Sequence, residues 1–383
     1  MTRDRATWLL YLHMAAFGYF LYCFGPSVTL LGDDLGVSNA VAALHSTAYA
    51  AAGVLIALLG DRPMRRFGRG RTLWAGCVLL SAGVLAYCAA GTPAVSLSAA
   101  LLCGFGAFLV VNVAGTALAD HHGPIAGPSA LSEANGLAAG VGMAAPLLIG
   151  VMDSSGPGWR WAMLLVPVLF GALAVGFGRT RVPDLVAAPP SPSPSPSAGG
   201  SLPAAYWWAW LLTVCSVGVE FSLSLWASTL LRDRTGMSEG AAATAMTAVV
   251  AGLCLGRLAG GRLALRLPLQ RLYGGAVAVN LVGFALFWSA TVPWLAYLGL
   301  FVSGLGMSVQ FPLATAAAIR AADGRADLAV SRLAVATTLA AGGAPFLLGL
   351  ATDLMPTRAA FLLLPILLLA SLPLLRKATH PHP

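Results

Sequence analysis

The sequence predicts an all-α membrane protein: twelve transmembrane helices in two parallel six-helix bundles, with both termini cytoplasmic. Three observations carry that prediction, namely scarce charge, the spacing of apolar runs, and an internal repeat near 200 residues. Of 383 residues, 58% are hydrophobic, 22 are basic and 14 acidic, and the mean hydropathy is +0.81. Soluble globular chains carry about 25% charged residues, whereas this one carries 9%. So few charges cannot clothe the two or three soluble domains this length would make. Disorder fails for the opposite reason, because there is too much apolar side chain. A bilayer resolves both, since lipid solvates an apolar exterior.

A spanning helix needs about 20 mostly apolar residues. Read against Gly, Pro and charge breaks, the runs of the first half fall at 6–31, 39–60, 72–90, 94–119, 130–151 and 159–178. Those of the second fall at 204–231, 238–261, 271–290, 293–318, 328–350 and 357–376. The first run, behind Arg3 and Arg5, is too long for a cleaved leader and has no clear small-x-small site, so it reads as a retained helix. Between the sixth and seventh runs lie Ala187-Ala188-Pro189-Pro190, a Ser/Pro alternation and Gly199-Gly200. A Pro/Ser tract neither packs nor forms a helix, so it is a semi-extended tether. The expected division is a bundle over 1–181, a cytoplasmic linker over 182–203 and a bundle over 204–383.

Arginine placement sets the topology. With the N-terminus inside, seventeen basic residues fall on the cytoplasmic side, and Arg160, Arg232, Arg234 and Arg358 fall outside. An odd helix count would scramble this asymmetry in the second half. The net charge of +8 is thus a product of positive-inside loops and implies no nucleic acid. The six cysteines all lie in apolar runs without ligand spacing and read as small hydrophobes.

The halves repeat each other. Leu30-Leu31-Gly32-Asp33-Asp34-Leu35-Gly36-Val37-Ser38 matches Leu230-Leu231-Arg232-Asp233-Arg234-Thr235-Gly236-Met237-Ser238 at an offset of 200. Pro93, Gly104 and Gly106 recur as Pro293, Gly304 and Gly306, and Ala145-Pro146 recurs as Ala344-Pro345. An even number of helices per unit gives both copies the same membrane orientation.

On these features the chain resembles the major facilitator superfamily. The loop Gly60-Asp61-Arg62-Pro63-Met64-Arg65-Arg66-Phe67-Gly68-Arg69-Gly70-Arg71 is similar to the family's Gly-x-x-x-Asp-Arg-x-Gly-Arg-Arg loop after helix 2. A degenerate second copy runs from Gly256-Arg257 to Gly261-Arg262. The first loop is longer than usual between Asp61 and Gly68, so either Asp61 keeps its role or Arg65 takes the acidic position. Physically, arginines here suit a helix C-terminus and an anionic leaflet. The resemblance implies more: a gate in which Asp61 faces the start of helix 11, with Arg332 as partner, and favours the outward-open state. It also implies a secondary transporter working by alternating access. Gly140, Gly142 and Pro146 in helix 5, echoed by Pro345 in helix 11, form a bendable small-residue interface. They are similar to the family's antiporter helix, although tight packing explains them equally well.

Ionisable groups at bilayer depth are functional candidates by default. Glu220 stands alone in Val219-Glu220-Phe221-Ser222-Leu223-Ser224-Leu225-Trp226, where desolvation penalises its charge, as a proton-coupling group requires. His13 is the second candidate carrier, or a histidine hydrogen-bonded within the bundle. Asn112 and Gln310, near repeat mates, together with Trp226, His45 and Tyr49, are candidates for the substrate cavity. Arg257 reads more readily as part of the cytoplasmic loop than as an anion site. Glu133 reads as a helix-start residue. No phosphate-binding, zinc-protease or lipase motif occurs, so no cofactor, metal or enzymatic chemistry is expected. The expected protein is a monomeric inner-membrane transporter in lipid, moving a small molecule with protons. Antiport export is favoured, with proton-linked uptake of a sugar-like or other polar solute as the alternative.

Overall fold

The computed structural model describes residues 3–183 and 202–379, and the Pro/Ser tract of the expected linker lies outside them. Among the described residues the chain is helical, and twelve helices are long and apolar enough to cross a membrane. The first half comprises α1 (Arg5–Leu35), α2 (Asn39–Leu59), α3 (Arg69–Cys88), α4 (Pro93–Gly123), α5 (Ile125–Ser154) and α6 (Arg160–Phe177). The second comprises α7 (Ala204–Thr235), α8 (Glu239–Ala264), α9 (Leu269–Ser289), α10 (Pro293–Arg320), α11 (Leu328–Leu354) and α12 (Thr357–Thr379). Helices are what such runs must form, since in lipid every backbone group needs a partner within its own segment.

The ends of the helices follow from local chemistry. The Asp4 carboxylate accepts from the Thr7 N–H at 2.8 Å and caps α1. Burial pushes the Asp4 carboxyl up, but hydrogen bonds from Thr7 and His121 outweigh it and hold it below the usual carboxylate range. Ser38 and Ser238 cap α2 and α8 in the same way. Gly36 and Gly236 end α1 and α7 with φ of 62° and 68°, the left-handed conformation that glycine adopts without a Cβ penalty.

Several boundaries differ from the apolar runs, and four of the differences bear on the site. A short helix, Arg62–Phe67, occupies the loop after α2, and α3 begins at Arg69. The start of α5 lies at Ile125, so Glu133 sits inside the helix rather than at its cap. Helix α5 breaks between Gly142 and Ala144, and α10 breaks between Met307 and Gln310. Proline explains both breaks: Pro146 and Pro312 cannot donate to the carbonyls of Gly142 and Ser308, four residues earlier.

The repeat is visible as packing. Gly104 of α4 lies on the Tyr49 backbone of α2, and Gly304 of α10 lies on the Val249 backbone of α8, each leaving no room for a Cβ. Arg160 donates to the Cys88 carbonyl at 3.0 Å, and its mate Arg358 accepts from Trp288 at its carbonyl at 2.8 Å. Small residues at such crossings let backbones approach, which supplies in lipid the association that the hydrophobic effect supplies in water.

Most arginines gather at one end of the bundle, in the turns after α2, α8 and α10. The hydrogen bonds and ion pairs that join the halves gather at the opposite end.

Candidate functional site

At the opposite end the halves are held together by charge against backbone. Asp353, near the end of α11, accepts from the N–H groups of Asn39 and Ala40, the first residues of α2, at 2.9 and 2.8 Å. A carboxylate at a helix N-terminus meets unpaired donors and the positive end of the dipole. About two to three helical turns deeper, the Thr47 hydroxyl donates to the Gly342 carbonyl at 3.0 Å. Arg232 of α7 bridges Asp33 of α1 (2.6 Å) and Glu239 of α8 (3.1 Å). In α5, Gly150 lies against the Gly240 backbone of α8.

Beneath this seal, at mid-depth, α1, α2, α7 and α11 enclose a cavity of about 80 Å³, room for two or three waters at roughly 30 Å³ each. Tyr22, Phe24, Ser46, Tyr49, Glu220, Phe221, Ser224 and Ala341 line it. The Tyr49 ring stacks between Phe24 (5.3 Å) and Phe108 (5.2 Å), so its position is fixed. Arg257 of α8 interacts electrostatically with both the Tyr22 hydroxyl and the Glu220 carboxyl. The arrangement therefore places one acid, two phenols and two serines around an otherwise apolar chamber between the halves, with Arg257 outside the lining but within electrostatic reach.

The other candidates fall elsewhere. His13 lies inside the first bundle: its Nδ1–H donates to the Leu9 carbonyl (2.7 Å) and its ring packs on Trp74 and Phe170, away from the cavity. Likewise His45 is bonded within its own half, donating from Nδ1 to the Ala42 carbonyl (2.8 Å) and accepting at Nε2 from Ser96 (2.7 Å). The indole of Trp226, 1% exposed, donates to the Pro345 carbonyl at 2.9 Å and does not line the chamber. Asn112 is exposed one turn from Phe108, whereas its mate Gln310 is buried with both amide atoms lacking a hydrogen-bond partner among the described residues.

At the arginine-rich end the loop closes on itself. Asp61 pairs with Arg65 at 3.3 Å, while Arg332 stacks over Trp207 (5.7 Å) in the other half. Arg66 covers Phe67, Arg62 and Arg262 are exposed, and buried Arg69 pairs with Asp120 of α4. Gly68, with φ of 82°, makes the turn into α3. In α5, Gly142 lies beneath the Tyr22 ring, and Gly140 faces open space. Asp353, Asp120 and Ser46 were not singled out by the sequence; Asp353 stands 200 residues after Asp153, within two residues of the local repeat offset, a signal that was available.

A family model described as Major Facilitator Superfamily matches residues 10–325 and 209–383. The chain belongs to that superfamily. Major facilitator proteins are transporters rather than enzymes, and they carry small molecules by alternating access; this chain is accordingly a multi-pass membrane protein. Among solved structures, a bacterial homologue of the human lysosomal transporter Spinster, inward-facing and occupied, matches with TM-score 0.73 at 17% identity, covering 99% of this chain and 93% of that one. A peptide transporter in complex with sulfate matches with TM-score 0.78 at 14% identity, covering 98% and 93%. A D-xylose–proton symporter matches with TM-score 0.76 at 13% identity, covering 98% and 97%. No curated protein matches the sequence.

Proposed function

We propose that this major facilitator protein couples the movement of a small molecule to that of protons, and that Glu220 takes up and releases the proton. The observation that carries the reading is the position of Glu220: the acidic residue in the chamber lining, on the contact between halves, at the middle of α7. A carboxylate there is costly when charged and unpaired, so its protonation state and its surroundings must change together. The bundles 1–181 and 204–383 are the bodies that rock, with 182–203 as tether. The sealed end faces outward and the arginine-rich end faces the cytoplasm, in keeping with a bacterial inner-membrane protein acting as a monomer.

Alternation follows from the bonds at the two ends. In this inward-facing arrangement Asp353 and Arg232 hold the outer side closed, while Asp61 is engaged with Arg65 and Arg332 with Trp207. Closing the cytoplasmic side would bring Asp61 to the start of α11, exchanging one set of charge contacts for another.

Cotransport with the proton is the direction we favour. Of the α5 glycines that suggested antiport, Gly142 is accounted for by its contact with the Tyr22 ring. Export by proton antiport is the second reading, favoured by the apolar lining at Leu21, Phe24 and Leu225. The test is transport in proteoliposomes under an imposed pH gradient. Wild type should respond to the gradient and Glu220→Gln should not; indifference in wild type removes the coupling proposal.

A further inference from the structure

Arg257 is the chamber's unexplained charge. On α8, Met246, Val250 and Leu253 form one stripe at helical spacing, and all three are buried, at 3%, 0% and 1% exposure. Arg257 continues that stripe one turn nearer the arginine-rich end, where it is exposed. The neighbouring stripe, Leu255, Leu258 and Arg262, is exposed throughout and faces away from the chamber. A stripe buried at the sealed end and open at the other is the face that lines the space between the halves. Arg257 therefore points into that space, and its interactions with Tyr22 and Glu220 place it at the chamber's mouth.

Among the described residues, no carboxylate lies within ion-pair distance of Arg257. An arginine at membrane depth that faces the open space between helices without an ion-pair partner marks a candidate ligand site. Topology does not require it, since Arg262 and Arg266 already mark the cytoplasmic end of α8.

We propose that Arg257 anchors an anionic group of the transported molecule, so that the cargo is a small organic monoanion bearing a carboxylate. Charge balance within the chamber selects this class. With Glu220 ionised and the site empty, Arg257 and Glu220 sum to zero. With Glu220 protonated and a monoanion on Arg257, the sum is again zero. A cationic cargo leaves one uncompensated positive charge when it sits beside ionised Glu220 and Arg257, and two when Glu220 is protonated. A neutral cargo gives Arg257 no function. Burying a net charge costs far more than burying a balanced pair, so proton and anion enter together. The guanidinium fork suits a carboxylate, which accepts two parallel hydrogen bonds. The Ser46 and Ser224 hydroxyls supply further donors, and Tyr22, Phe24, Tyr49 and Phe221 offer an apolar, aromatic wall for the rest of the molecule. The other titratable groups that line the chamber with Glu220 are Tyr22 from α1 and Tyr49 from α2; Cys254 on α8 interacts with Tyr22 and Arg257, and α11 presents Ala341.

The inference rests on the proton role of Glu220 for its pH dependence but not for its anion specificity, and the two separate experimentally. Thermal shift of the purified full chain is measured with acetate, butyrate and benzoate, and with the matching alcohols and amines, at mildly acidic and mildly alkaline pH. At least one acid should stabilise wild type, more strongly at acidic pH, and no alcohol or amine should. Arg257→Gln should weaken the acid's apparent affinity by about tenfold or more, and Arg257→Lys should restore part of it. Stabilisation by no acid, or equally by the amines, overturns the proposal. So does a folded Arg257→Gln chain that binds the acid as wild type does. In Glu220→Gln, acid binding should persist and lose its pH dependence. If the dependence survives, the proton role of Glu220 falls and the anion anchor stands.

Discussion

Trp226 illustrates how a residue's surroundings decide its work. Along the sequence it is an aromatic at bilayer depth, open to stacking on a ligand. In the fold its partner is the Pro345 carbonyl, 119 residues away, and its indole fills the space over Gly349. It therefore pins α7 to α11, and it is absent from the chamber lining. Trp226→Phe keeps most of the bulk and removes one buried hydrogen bond. It should lower stability by about 1 kcal/mol, read as a fall in melting temperature, while ligand-induced stabilisation stays as in wild type. Loss of binding with stability unchanged would return Trp226 to the cavity. Glu220, by contrast, was legible from the chain alone, because an acid within a long apolar run is anomalous whatever surrounds it. His13 was equally anomalous, and only packing against Trp74 and Phe170 shows that it faces into one bundle. Residue type reveals that a polar group is buried; the helix's rotation decides what it faces.

Among the elements, the helices themselves were readable because a span must be apolar over its whole length. Their interruptions were less so. The breaks in α5 and α10 follow from Pro146 and Pro312, yet Pro345 sits in α11 without a break. Local chemistry removes the bond, and neighbouring helices determine whether the chain bends. The Asp353 contact with the start of α2 belongs at this scale, since it joins one helix end to another across the halves. Asp353→Asn removes the charge that faces those N–H groups, and a helix N-terminus favours negative charge by about 0.3–1 kcal/mol. The sealed end should then open more often. With the native cysteines replaced, an introduced Ser224→Cys should react faster with an impermeant maleimide from that side in the Asp353→Asn chain. Equal rates would mean that the seal rests on packing alone.

Across the whole molecule, the repeat and the arginine asymmetry made the plan legible: two bundles of six, sharing one orientation. Which end would be closed was not legible, because the sequence encodes both arrangements and the structure holds one. The proposed Asp61 gate would belong to the other arrangement. Here Asp61 pairs with Arg65 on its own loop. Asp61→Asn should therefore leave insertion and stability near wild type and lower transport, by weakening the state closed at the cytoplasmic end. Normal transport by a well-inserted variant would remove Asp61 from the gate.

The central claim is that Glu220 carries the proton and that proton and cargo cross together. It is tested most directly by comparing two modes of transport in Glu220→Gln proteoliposomes, using a radiolabelled acid that stabilises the wild-type chain. A permanently neutral side chain resembles the protonated state and should still allow cargo exchange at equal concentrations on both sides. Accumulation driven by a pH gradient should be lost. Accumulation equal to wild type would contradict the account, as would loss of exchange in a variant that remains folded and inserted.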